Sequence, residues 1–158
     1  MNQGVYALII KNNKDQQIQI GKLGTFLFLE GMYIYIGSAL GKTSTNLEHR
    51  LKRHLSSSKK LFWHIDFLLN AADIKISAFI YAYTQEQKEC SLSTSISQLE
   101  DAQILISNFG ASDCKKNCGS HLFYFTLEMN TLLTLIKSAF SKINLNPIIK
   151  MSQINEND

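Results

Sequence analysis

At 158 residues and 45% apolar, the chain fits one domain that can build a core without help from metals or disulfides, and its net charge of +3 does not by itself announce a nucleic-acid partner. No apolar run reaches spanning length, which excludes a transmembrane role. Three cysteines, Cys90, Cys114 and Cys118, form an odd set without a secretory segment, arguing for a soluble protein in a reduced, cytoplasmic setting and against a disulfide framework.

Gly4 to Ile10 is β-prone and runs into the polar turn cluster from Lys11 to Asp15. Ile18 and Ile20 then alternate with glutamines, Gly21 and Gly24 punctuate, and Phe26 and Phe28 alternate with Leu27 and Leu29 before Gly31. From Met32 to Gly37 the alternation puts Tyr33 and Tyr35 on one face and Ile34 and Ile36 on the other. Short connections predict that these sequential strands pair as an antiparallel meander. Asn46 is placed to cap a helix whose Leu47, Leu51 and Leu55 dock on the sheet, while Arg50 and His54 share a second stripe with Arg53 nearby.

Phe62 to Leu69 reads as a second short helix and Ile74 to Tyr83 as a strand. The longest helix is expected from Thr84 or Gln85 to about Ser107, with Leu92, Ile96 and Leu99 on one face and Glu89 at the head of that stripe. Phe109 to Cys114 is a loop, Leu122 to Leu127 a strand and Thr131 to Phe140 the last helix. The sum is an α+β domain over residues 1–145, with a mostly antiparallel central sheet flanked by helices. A C-terminal tail follows over 146–158, its polar end from Ser152 expected to be disordered.

Charge is distributed unevenly. Between Lys42 and Lys60 lie Lys42, Arg50, Lys52, Arg53, Lys59 and Lys60 against the single acid Glu48, a patch that attracts phosphates by counterion release. Around it the chain offers phenols (Tyr6, Tyr35), imidazoles (His54, His64) and a later carboxylate, Glu89. Cutting a phosphodiester needs a base for the attacking water, positive charge around the phosphoryl oxygens and a carrier for leaving-group charge, and this inventory matches. An arginine suits phosphate through its forked donors, and one carboxylate suits a single hard cation completed by water and phosphate. Separately, Cys114, Cys118 and His121, with Asp113 adjacent, have zinc-ligand types at spacings of four and three but no evident fourth ligand. The alternative is a loop near the active face through which Ser120 and His121 reach substrate.

Gly4-Val5-Tyr6 on one strand and Tyr35-Ile36-Gly37 on another, followed by an arginine-bearing helix, resemble the GIY-YIG nuclease family. Tyr33 to Ala39, Leu51 to His54, Trp63-His64-Ile65-Asp66 and the segments 112–114 and 118–123 resemble a small branch of that superfamily in archaea and bacteria, a domain of unknown function. The resemblance implies a metal-dependent endonuclease acting on DNA ahead of RNA. It assigns Tyr6 as general base, Tyr35 as the residue positioning water or metal, Arg50 (within Leu47-Glu48-His49-Arg50) on the scissile phosphate, and Glu89 as ligand of Mg²⁺ or Mn²⁺, with Glu86 as a neighbouring option. Gly37, Ser38, Arg53, His54, His64 and His121 are the expected substrate contacts. A monomer is expected, with a repair complex as candidate partner. The rival expectations are a non-catalytic nucleic-acid-binding module of the same fold and a zinc-stabilised interaction domain.

Overall fold

The strand β1 (Gly4–Asn12) is buried at every position but Lys11, so it carries apolar side chains on both faces and takes the centre of a sheet. A computed structural model describes residues 2–111 and 118–152; residues 112–117, where the loop with Cys114 was expected, and 153–158 of the tail lie outside them. Antiparallel partners flank β1: β4 (Gly31–Ala39) on one side and β5 (Ile74–Tyr83) on the other. β6 (Leu122–Phe125) extends the sheet beyond β4, and β7 (Ile148–Met151) extends it beyond β5, giving the order β6-β4-β1-β5-β7. With its helices this is an α+β fold, as the sequence predicts.

The meander is not what forms. β2 (Gln16–Ile20) and β3 (Gly24–Phe28) pair only with each other, as a separate two-stranded sheet that leaves β1 free to receive β4. Their burial alternates, with one wet face, so they cover a core but cannot sit inside one. Asn12, fully buried, ties the hairpin back by donating from Nδ2 to the carbonyls of Phe28 (3.2 Å) and Leu29 (3.1 Å). At the other end of the chain, β7 draws residues 148–151 into the sheet as an edge strand.

Each face of the central sheet has its own core. Val5, Ala7, Ile9, Ile34 and Ile36 face α3 (Glu89–Ser97) and α4 (Met129–Lys142), which add Leu92, Ile96, Leu132, Ile136 and Phe140. A fully buried Ile or Leu contributes about 1.5–3 kcal/mol, so this cluster of aliphatic and Phe side chains is a main source of stability. On the opposite face Tyr6, Leu8, Ile10, Tyr33 and Tyr35 meet α1 (Leu47–Leu55), α2 (His64–Leu69) and the hairpin.

α3 is far shorter than its leucine spacing predicts. Its Ser and Thr residues compete for the backbone, as when Ser97 Oγ donates to the Thr94 carbonyl (2.7 Å), and the chain turns away after Ser97. Leu99 still packs against the core, and Gln103 then exchanges two backbone hydrogen bonds with Tyr124 on β6. Among the described residues no helix is long and apolar enough to cross a membrane.

Candidate functional site

The register of β1 on β4 sets Tyr6 directly opposite Gly37. The Tyr6 ring lies across that glycine so closely that a Cβ there would stand 2.5 Å from ring carbon Cζ and from the hydroxyl oxygen. Bare backbone at position 37 is therefore a steric requirement for the phenol's course, and the two tripeptides are halves of one packing unit. Tyr35, two residues earlier, shares the face with Tyr6 and is held edge-on by Phe109. Tyr33 also shares it, but its hydroxyl donates to the Leu29 carbonyl (2.7 Å), which makes it a packing residue.

α1 starts as its sequence directs, Asn46 Oδ1 accepting from the His49 N–H at 3.0 Å. The docked stripe runs through Leu47, Arg50, Leu51 and His54, the i, i+3, i+4, i+7 pattern, whereas Leu55 is 54% exposed. Leucines at strict intervals of four drift around the helix, which corrects the expected docking face and also the expected role of His54. Instead of facing substrate from a second stripe, His54 is buried, with Nε2 2.7 Å from the Tyr6 hydroxyl.

Neither member of that pair carries charge at neutral pH. Burial pushes the Tyr6 phenol up, with Arg50 pulling the other way, and burial aided by the Lys59 cation pushes the His54 imidazole down to about 3. Tyr35 is likewise raised by burial, then by Tyr6 and Glu89.

Two arginines bracket the indole of Trp63, Arg50 at 4.3 Å and Arg53 at 4.2 Å from the ring centroid. Their electrostatic situations are opposite. Arg53 forms a forked pair with Asp66, Nη1 to Oδ1 at 2.7 Å and Nη2 to Oδ2 at 2.9 Å. Asp66, fully buried, also accepts from the backbone N–H groups of Phe62 (3.0 Å) and Trp63 (2.8 Å) at the start of α2. Burial alone would raise its carboxyl, but these donors hold it below its usual value. Arg53 is thus structural, correcting its expected place on substrate, and Asp66 does not orient His64. For Arg50 no carboxylate lies within ion-pairing distance among the described residues, and its buried Nε has no hydrogen-bond partner.

Arg50, Tyr6, Tyr35 and Glu89 line one cleft of about 450 Å³. Gly37, Ser38 and His64 contribute to its wall, as do Phe62, Trp63 and the backbone at Gly110. Glu89 opens α3 and lines the cleft, whereas the alternative acid Glu86 is exposed and paired with Lys88 at 3.0 Å. His64 Nδ1 accepts the Gly110 N–H at 2.9 Å, which places the ring proton of the neutral form on Nε2. Among the described residues Glu89 is the one carboxylate in the cleft lining, an oxygen donor of the type a hard cation such as Mg²⁺ or Mn²⁺ takes. Trp63, Phe62 and Gly110 were not singled out as site residues. The two aromatics at the head of a short helix behind a basic helix were the available signal.

His121 does not reach the cleft: it is buried, with Nε2 3.8 Å from Cys90 Sγ. Cys90 and Cys118 are joined as a disulfide, their Cα atoms 5.9 Å apart, which corrects the expectation that the cysteines stand reduced and unpaired. Among the described residues Cys118 and His121 meet Cys90, next to Glu89, while Cys114 lies outside them.

Together these features define an α+β domain with a polar cleft on the tyrosine-bearing face of its sheet. The chain belongs to the family described as domain of unknown function DUF123, whose family model matches residues 5–145. No curated protein and no solved structure matches the chain.

Proposed function

We propose that the chain is a metal-dependent endonuclease of the GIY-YIG type, hydrolysing phosphodiester bonds in DNA or RNA. The observation that carries this reading is a guanidinium with no carboxylate partner among the described residues, in a cleft shared with two phenols and a carboxylate. A structural arginine would be neutralised as Arg53 is. An arginine stacked on Trp63 with donors left over is suited to the oxygens of a phosphodiester.

In this reading Arg50 holds the scissile phosphate, and Tyr6 orients a water whose oxygen forms the new bond to phosphorus as the P–O bond to one flanking sugar breaks. The water proton passes to the Tyr6 oxygen while the Tyr6 proton moves to His54 Nε2, and the released sugar oxygen takes a proton back through solvent. Burial disfavours an imidazolium at His54, and the negative charge of a phosphodiester held by Arg50 would offset it. Glu89 would hold Mg²⁺ or Mn²⁺, which when bound supplies charge neutralisation at the phosphoryl and leaving oxygens. Phe62, 74% exposed at the rim, offers a face on which an unpaired base stacks.

The test incubates the protein with branched, nicked and single-stranded substrates in Mg²⁺ or Mn²⁺ and compares Tyr6→Phe, Arg50→Ala and Glu89→Gln. Loss of the Arg50 donors is expected to lower the cleavage rate by about 10²–10³-fold. Cleavage that persists unchanged in all three variants overturns the assignment. Binding without cleavage by the wild type, weakened by Arg50→Ala, would instead identify a nucleic-acid-binding module.

A further inference from the structure

We infer that Cys90, Cys118 and His121 form a zinc site whose oxidised, metal-free form is the disulfide. The two sulfurs and the imidazole Nε2 all lie within 4.8 Å of one another, two of the residues half-buried and the histidine buried. Zinc bonds of about 2.3 Å to sulfur and 2.0–2.1 Å to nitrogen at tetrahedral angles keep ligand atoms roughly 3.5–3.8 Å apart. Cys90 Sγ and His121 Nε2 already stand at 3.8 Å. The two sulfurs, covalently bonded in the oxidised form, must part to reach that spacing.

The backbone around the three residues is firmly held. His121 donates its N–H to the Phe109 carbonyl (2.8 Å) and accepts from the Ile36 N–H (2.9 Å), and Asn108 donates to the Gly119 carbonyl (2.6 Å). Cys90 sits in the first turn of α3. The ligands thus come from two separate places in the chain, so an ion bound to them would fasten the start of α3 to the 118–121 segment, which is itself bonded to Asn108 and Phe109, as the disulfide does now. Glu89 is the neighbour of Cys90, and the fastening fixes where its carboxylate enters the cleft. The inference does not depend on the nuclease reading, because its tests read metal and thiol chemistry.

Interconversion balances with a dithiol reductant. Its thiolate attacks one sulfur of the Cys90–Cys118 bond, its second thiol resolves the mixed disulfide, and the products are two cysteine thiols and the oxidised dithiol. Zn²⁺ then replaces the two thiol protons, which go to solvent, and His121 supplies the Nε2 lone pair.

Full-length protein prepared with a dithiol reductant and dialysed should contain about one zinc per chain by elemental mass spectrometry, and Cys90→Ser, Cys118→Ser and His121→Ala should each lose most of it. Because a ligand variant could fail to fold, a second measurement uses the wild type alone. Cobalt substitution should give a thiolate-to-cobalt charge-transfer band, and an oxidant should abolish it while a Cys90–Cys118 peptide appears under non-reducing digestion. The inference is overturned if the reduced wild type takes up no zinc above background, if Cys90→Ser retains as much as wild type, or if the cobalt form lacks the thiolate band.

Discussion

The two faces of the central sheet are built from the same strands yet follow different rules. Against α3 and α4 every buried side chain from β1 and β4 in the core is apolar, and the polar exceptions are two buried serines of α3, of which Ser95 donates to the Ala139 carbonyl (3.3 Å). Against α1 and α2 the same strands present Tyr6, Tyr33 and Tyr35, and the helices answer with buried His54 and Asp66. A buried polar group costs free energy unless it is bonded, and on this second face the Tyr6 hydroxyl meets His54 Nε2, the Tyr33 hydroxyl donates to the Leu29 carbonyl and Asp66 is held by Arg53, while Arg50 Nε and His54 Nδ1 are left without partners among the described residues. The contrast separates a face built almost wholly of apolar contacts from the face that carries the polar cleft.

The largest expected effect breaks the apolar face. Phe140→Ala should cost about 4 kcal/mol of unfolding free energy by leaving a cavity against the sheet, measured by urea denaturation, without altering ligand affinity in the cleft of the remaining folded protein. Next comes the ion pair under the polar face: Asp66→Ala strands Arg53 and two N–H groups and should cost about 3 kcal/mol, while Phe62, at the exposed rim, tolerates truncation. An Asp66→Ala protein as stable as wild type would show that the pair does not organise α2.

A smaller effect sharpens the comparison through pH. The His54 imidazole is held near 3 in the folded chain and returns to its ordinary value near 6.5 when unfolded. Above 6.5 both states are neutral and the group has no influence. As pH falls below it the unfolded chain binds a proton that the folded one refuses, so stability is lost toward pH 3 at up to about 1.4 kcal/mol per unit. Asp66, held below its usual value, loses its contribution only at more acid pH. His54→Gln should therefore flatten the stability profile between pH 6 and about 4.5, and parallel profiles would show that His54 is not the group responsible.

Much of this was legible along the chain because local rules agreed with tertiary demands. Alternation put Tyr33 and Tyr35 on one face and Asn46 carried the right side chain to cap α1, while the grouping of Tyr6, Tyr35, Arg50 and Glu89, which line one cleft, came from the family resemblance. The misplacements have a common cause, which is that period alone does not say which neighbour a face will find. β2 and β3 could not be told from meander strands without weighing how completely β1 is buried. His54 lay on the stripe of Arg50, but that stripe proved to be the docked one. Arg53 and Arg50 look equivalent in sequence, and only the position of Asp66 distinguishes them. Cys90 and Cys118, 28 residues apart, gave no spacing signal.

The bare backbone at Gly37 has a consequence for assembly. If β1 slid along β4 by two residues, keeping its faces, Tyr6 would come to lie opposite Tyr35 or Ala39, where a Cβ occupies the space its ring needs. The glycine acts as a notch that admits the phenol at one alignment, so strand pairing and the placing of the Tyr6 oxygen in the cleft are settled in the same event.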